Sequence, residues 1–275
     1  MAIVNRTPDS FYDKGATFAA ERALERIDAA VAAGATIIDI GGVKAGPGDD
    51  VSVAAEIERV VPTIELARQR HPGVTISVDT WRAPVAEAAI NAGADLVNDT
   101  WAGFDPELVE VAGAQGVGYV CSHTGGVTPR TRPHRVHYDD VVADVIAETT
   151  ALAESAVRLG VPEEKIFIDP THDFGKNTYH GLELLRRVDE LVATGWPVLM
   201  ALSNKDFVGE TVNRGIGGAD VAERVPGTLA ATAWAAAHGV AAFRVHEVEA
   251  TLDVIRMTAA ITGDMAPLYT VRGLA

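Results

Sequence analysis

The sequence of 275 residues contains a single cysteine, which excludes an intrachain disulfide framework. No apolar run approaches the roughly 18 residues of a membrane-crossing helix, and no signal peptide is visible. Basic residues are scarce: 23 Lys and Arg stand against 38 Asp and Glu, a formal net charge of −15. That surplus argues against a nucleic-acid backbone or an anionic membrane as partner, and it suits a soluble cytoplasmic protein. Neither a GxGxxG nor a P-loop string is present, and no His/Asp/Glu set has the tight spacing of a dedicated zinc site. No Pro/Ser-rich linker, low-complexity tract or composition shift divides the chain. Residues 1–275 are therefore expected to form one domain, a length that α/β barrels reach routinely. A chain that opens directly on a strand is unusual, and a short preceding segment is expected.

What is present is a repeat of supersecondary type. Eight short apolar runs each end in polar residues: Met1–Val4, Thr36–Ile40, Thr75–Val78, Leu96–Val97, Gly118–Cys121, Ile166–Ile168, Val198–Leu202 and Ala241–Phe243. Between them lie Ala/Leu/Val-rich stretches of helical spacing, such as Thr17–Ala33 and Asp139–Leu159. Eight β-then-α units predict an α/β fold, a (β/α)₈ TIM barrel, in which catalytic groups sit at the C-terminal ends of the strands. The polar endings are thus an inventory of candidate site residues.

Asn5 follows the first run, where a neutral amide could hold a metal or a phosphate oxygen. The long loop from Asn5 to Asp13 is expected to be functional. Asp79, Asn98 and Asp169 end three separate strands. Their convergence fits a flat, donor-rich heterocycle, because a carboxylate accepts two parallel N–H bonds and an amide both donates and accepts. Asp99 should point the opposite way and cap a turn. Arg244 and His246 lie at i and i+2 and share a face, and Lys205 follows the seventh run. Three basic side chains at one rim mark an anion site, in the place where barrels commonly bind phosphate. His123 reads as a satisfied core histidine, and His134, His137 and His172 as polar loop residues. Cys121 reads as a small core residue.

At this point the sequence resembles the dihydropteroate synthases, the pterin-binding barrels of folate synthesis. The resemblance covers essentially the whole chain. It rests on Met1-Ala-Ile-Val-Asn-Arg-Thr-Pro-Asp-Ser-Phe11, Ile38-Asp-Ile-Gly-Gly42, Ile76-Ser-Val-Asp-Thr80, Val97-Asn-Asp99, Ile168-Asp-Pro170 with Phe174-Gly-Lys176, and Phe243-Arg-Val-His246. The related methyltetrahydrofolate-dependent methyltransferases share the barrel, but the opening Thr-Pro-Asp-Ser-Phe string fits the synthases better.

The resemblance implies a transferase that joins hydroxymethyl-dihydropterin diphosphate to p-aminobenzoate with Mg²⁺. Asp79, Asn98, Asp169 and Lys205 would meet the pterin edge, Phe174 would line its pocket, and Arg244 would stack on the ring. Asn5, Arg244 and His246 would hold the diphosphate, with Asn5 reaching the metal ion. Thr7, Pro8, Asp9, Ser10 and Phe11 would belong to one mobile loop, and Lys44, Gly46 and Pro47 to a second. Barrels of this family pair through late helices, and the Ala-rich Gly227–Gly239 stretch offers a flat small-residue surface, so a homodimer is expected.

The departures are concentrated. Where the family reads Glu-Ser-Thr-Arg-Pro-Gly, this chain has Val43-Lys44-Ala45-Gly46-Pro47-Gly48, which replaces a loop arginine by Gly46. Lys44 could restore the charge but not the forked geometry. The family's Gly-x-Ser-Arg-Lys is Ala201-Leu-Ser-Asn-Lys205, and its Met-His-Met is Ser122-His-Thr124. Pterin and anion anchors are kept while the loop for the second substrate is rewritten. Three functions follow: a synthase, a transferase with another nucleophile, or a pterin-binding protein without turnover.

Overall fold

The computed structural model describes residues 1–7, 20–131, 136–212 and 218–272. Every apolar run forms a strand: β1 (Ala2–Asn5), β2 (Ile37–Gly41), β3 (Thr75–Asp79), β4 (Leu96–Asp99), β5 (Gly118–Ser122), β6 (Ile166–Asp169), β7 (Leu199–Met200) and β8 (Ala242–Phe243). All pair in parallel and in chain order, β1 to β6 as one sheet and β7 with β8 as a second. Single parallel bridges join the two at both seams, Ile168 to Val198 and Val245 to Ala2. The ring expected of a (β/α)₈ barrel is thereby completed.

The connecting helices are α1 (Ala20–Ala33), α2 (Val53–Arg70), α3 (Ala83–Asn91), α4 (Glu107–Gln115), α5 (Val141–Arg158), α6 (Thr178–Arg186), α7 (Val188–Val192), α8 (Asp206–Thr211), α9 (Val225–Ala237) and α10 (Val248–Thr262). Their starts are written in the sequence. Ser52 accepts from the Ala55 amide at α2, Asp140 accepts from Val142 and Ala143 at α5, and Asn177 and His180 form a reciprocal cap at α6.

Strand alternation sorts the core into two parts. Ile38, Ile40, Ile76, Val78, Val97, Cys121 and Ile168 face outward and pack with helix residues such as Ile27, Ile64 and Val145. Leu96, Val120 and Leu199 pack separately with Met1, Ile37, Phe167 and Ala242, closing the N-terminal end of the barrel. Above that plug the same parity places Asp39, Ser77, Asn98 and Asp169, all buried. An apolar floor under a polar layer is what turns a packed barrel into a site.

Candidate active site

The polar layer is organised around Arg244. Its Nε donates to Asp39 Oδ2 at 2.6 Å and its Nη2 to Asp79 Oδ2 at 2.5 Å. Asp39 also accepts from Ser77 Oγ at 2.6 Å and from Asn98 Nδ2 at 3.2 Å, and Thr100 Oγ1 donates to Asp79 Oδ1 at 2.9 Å. Burial raises the Asp79 carboxyl to about 6 against the opposing pull of Arg244, with Asp39 adding to the rise. Burial alone would lower the Arg244 guanidinium. The carboxylates of Asp39 and Asp79 outweigh it, so Arg244 stays charged.

Asp169 is buried at the end of β6, accepts from the Thr171 amide at 2.7 Å, and is likewise raised by burial to about 6. Lys205 precedes α8 and lies 4.7 Å from the centre of the Phe174 ring. Burial lowers its pKa, opposed by Asp173. Phe174 in turn meets Trp101 edge-on at 5.0 Å, and Trp101 meets Trp81 at 6.4 Å. This aromatic ladder braces one wall.

A cleft of about 300 Å³ opens above these groups. Asn5, Thr7, Lys44, Gly46, Asp79, Phe174, Lys205, Arg244 and His246 all line it. The sequence-derived residues of β1, β3, β7, β8 and both loops thus come together at one mouth. Asn98 and Asp169 lie beneath it in the polar layer. Arg244 and His246 follow β8 without belonging to its ladder. Pro47 is exposed at the outer end of its loop, and Pro8, Asp9, Ser10 and Phe11 lie outside the described residues.

Other expectations meet mixed outcomes. Asp99 points away from the cleft and accepts from the Trp101 and Gly103 amides and from Tyr119 Oη, as a turn cap should. Cys121 is buried, and burial raises its thiol, which removes it as a nucleophile. His123 is buried with Nε2 2.7 Å from Asp144 Oδ1, while its Nδ1 has no hydrogen-bond partner. His137 is exposed beside Asp139, and His134 falls outside the described residues. His172 corrects the reading as a polar loop residue. It is fully buried, and its ring stacks at 5.1 Å on Phe207. The chain turns inward there because Thr171 and Asp173 adopt φ of 50° and 70°.

Three residues escaped the sequence reading. Asp39 sat inside a quoted string without a role, yet its parity with Ser77 and Asn98 across paired strands was readable. Asp173 accepts from the amides of Asp206 and Phe207 at the start of α8, which sets Lys205 beside the cleft. Lys176 is buried and donates to the carbonyls of His123, Thr171 and Phe174 at 2.9, 3.3 and 3.1 Å. It pins the β6–α6 loop to the end of β5. A lysine in the polar Pro170–Asn177 loop is not distinguished by sequence alone from a surface lysine.

The rewritten loops meet one another. Arg130, from the segment after β5, donates to the Asp49 carbonyl at 2.5 Å, and Arg82 donates to the Val51 carbonyl at 2.7 Å. Asn204, where the family has arginine, is 2% exposed with φ of 56°. Its Nδ2 donates to Glu247 Oε1 at 3.0 Å, and Ser203 Oγ donates to Glu247 Oε2 at 3.0 Å.

Comparison with known proteins agrees with this geometry. A family model described as pterin binding enzyme matches residues 1–246. A Mycobacterium leprae protein named inactive dihydropteroate synthase 2 is 62% identical over an alignment of 279 positions, covering 100% of this chain and 94% of that protein. The dihydropteroate synthase of Streptococcus pyogenes is 38% identical over 257 positions, covering 93% and 92%. The solved structure of the Xanthomonas albilineans synthase in complex with 7,8-dihydropteroate superposes with a TM-score of 0.82 at 34% identity, covering 97% and 94%. The anchors beneath the cleft and the changed loops around it have the same explanation: the chain belongs to the pterin-binding enzyme family, as a divergent dihydropteroate synthase homologue.

Proposed function

We propose that the cleft binds a pterin diphosphate and that condensation with p-aminobenzoate is strongly impaired. The observation that carries this reading is the clamp of Arg244 by Asp39 and Asp79, with Asn98 bonded to the same Asp39. A guanidinium fixed at two points is a rigid planar surface for a ring, and lysine could not supply it. Asp79, Asn98 and Asp169 offer acceptors and an amide to a pterin edge. Lys205 and Arg244 bring positive charge, and His246 an imidazole, to the side where diphosphate would lie.

In such a transfer the diphosphate departs, the electron-rich pterin supports positive charge at its methylene carbon, and an amine adds. A neutral aniline needs no strained base. The protein must stabilise the leaving group and hold geometry, and removing one charged donor from such a site costs about 10²–10³ in rate. Gly46 and Asn204 are two such losses relative to the family pattern, and the M. leprae relative is named inactive.

Asn5 fits a Mg²⁺ role by its chemistry. It presents a neutral amide at the cleft, and Mg²⁺ typically takes one or two protein oxygens and completes its shell with phosphate and water. Bound there, the ion would neutralise charge on the diphosphate. We further infer a cytoplasmic homodimer.

The test is an incubation of purified protein with hydroxymethyl-dihydropterin diphosphate, Mg²⁺ and p-aminobenzoate, following binding by calorimetry and products by mass. Stoichiometric binding of the pterin diphosphate is expected, with dihydropteroate formed at least ~10²-fold more slowly than by the S. pyogenes synthase assayed alongside. Absent pterin binding would remove the proposal, and an undiminished rate would remove its second half.

A further inference from the structure

Outside the cleft, three side chains that the transfer reaction does not use converge on one point. His123 stands just past β5, and strand alternation turns it outward with Tyr119 and Cys121, towards α5. Asp144 and Glu148 lie one turn apart on α5 and share the face that meets it. His123 Nε2 is 2.7 Å from Asp144 Oδ1 and 3.3 Å from Glu148 Oε2. One atom of each side chain able to hold a metal ion lies within 4.8 Å of the other two. His123 and Asp144 are 21 positions apart in sequence, so no short motif announces the set.

Protons and lone pairs do not balance here. Two carboxylates face one ring nitrogen that can hold a single proton. Among the described residues neither carboxylate has another ion pair. Lys176, whose charge reaches the cluster, hydrogen-bonds three carbonyls and neither carboxylate. Burial, and then the charge of Asp144, pushes the Glu148 carboxyl up. The imidazole is wholly buried, and burial, with Lys176 adding to it, lowers its pKa to about 4. It is therefore neutral at ordinary pH and keeps a lone pair. Nδ1 has no hydrogen-bond partner, so the ring proton can reside there and leave Nε2 to an ion. The two carboxylates are 43% and 51% exposed, which leaves a way in from solvent.

We propose that His123, Asp144 and Glu148 form a structural site for Zn²⁺ or a similar divalent transition ion, which fastens α5 to the end of β5. One imidazole nitrogen and two carboxylate oxygens, with no thiolate, suit such an ion, and water completes its shell. Tetrahedral bonds of about 2.0–2.2 Å set their ligand atoms about 3.3–3.6 Å apart. The 3.3 Å separation between His123 and Glu148 already fits. The 2.7 Å separation from Asp144 is that of a hydrogen bond, which the ion replaces as the ring proton moves to Nδ1. His123 is also tied to the β6–α6 loop: its amide donates to Thr171 Oγ1 at 3.2 Å, and its carbonyl accepts from Lys176 Nζ at 2.9 Å. An ion here braces the outer side of that loop and is separate from the Mg²⁺ inferred at Asn5.

The experiment uses the full chain, stripped with a chelator and titrated with ZnCl₂ in excess Mg²⁺, which fills sites built from oxygen alone. Calorimetry should show one Zn²⁺ per chain bound with micromolar affinity or tighter, and the melting temperature should rise with Zn²⁺. Combining Asp144→Asn with Glu148→Gln should weaken binding at least ~10-fold and abolish that rise. Both positions are half-exposed on a helix, and the metal-free melting temperature verifies that the double variant is folded. If it is not, Glu148→Gln alone, at the more exposed position, takes its place. No Zn²⁺ binding by the parent would overturn the inference. So would an unchanged affinity in the folded variant, which would assign the ion to a surface pair such as His71 and Asp28. What the cleft binds bears on neither outcome.

Discussion

At the scale of single residues, the chemistry is set by how burial and charge are traded inside the barrel. Arg244 is held by two carboxylates on different strands, and each carboxylate needs the guanidinium because it has left water. Lysine at this position could satisfy one of them and would present no flat face. Arg244→Lys should therefore weaken pterin diphosphate binding by roughly 10–10²-fold in a calorimetric titration while the chain stays folded. Undiminished affinity would show that the ring does not lie against this side chain.

The two carboxyls raised by burial to about 6 give a pH signature of opposite sign for binding and for stability. Ionised, Asp79 and Asp169 accept N–H bonds from a heterocycle; protonated, each loses an acceptor. Pterin affinity should fall as the pH drops through 6. Stability runs the other way. A carboxyl whose folded value lies above its ordinary 3.8 contributes most below about pH 4, and that contribution is lost as pH rises through 6. Asp169→Asn, which mimics the protonated acid, should raise the melting temperature relative to the parent more at pH 7.5 than at pH 5. Thermal melts at both pH values decide it.

At the scale of elements, the β6–α6 loop carries the constraint. Gly175 has φ of 62°, and a Cβ there would lie 2.0 Å from the Thr124 carbonyl oxygen. Tyr138 Oη donates to the Gly175 carbonyl at 2.9 Å, and Lys176 ties the flanking residues down. Gly175→Ala combines left-handed strain with a backbone clash and should cost about 2–4 kcal/mol. A melting-temperature drop of several degrees, accompanied by weaker pterin binding as Phe174 shifts, is expected.

Strands and their order were legible because apolar runs with polar ends recur eight times and parallel neighbours follow in sequence. Lys205, Arg244 and His246 were legible for the same reason: strand ends point at one mouth. Asp39 was legible only by comparing parity across strands. His172 and Lys176 were not, because nothing local says that the chain will turn inward after Asp169. That turn depends on residues at positive φ and on the His123 carbonyl just past β5, which Lys176 engages together with two carbonyls of its own loop. Glu247 was hidden differently. Its meaning lies in the two side chains it engages across 43 and 44 positions of sequence.

At the scale of the whole molecule, the apolar surface is unevenly distributed. The Ala-rich stretch does form a helix, α9, but its outer face is not a flat small-residue surface. Trp234 projects from it 49% exposed, anchored by Nε1 on the Leu185 carbonyl at 2.7 Å. Met257 and Ile261 on the neighbouring α10 are 62% and 73% exposed. Large apolar side chains exposed on two neighbouring helices are candidates for a partner surface, and a twofold pairing through α9 or α10 would bury the same residues on both copies. With a net charge of −15 on each chain, the proposed pairing would have to rest on local apolar contact. Sedimentation should then give a particle twice the mass of a 28.9 kDa chain. Trp234→Glu should convert it to monomer, because a carboxylate on each side of a twofold contact faces its own copy. Since Thr228 of α9 also bonds Asn204 at the rim of the cleft, loss of pairing should loosen that rim. A Trp234→Glu protein that sediments as the parent does would place the interface elsewhere on the barrel.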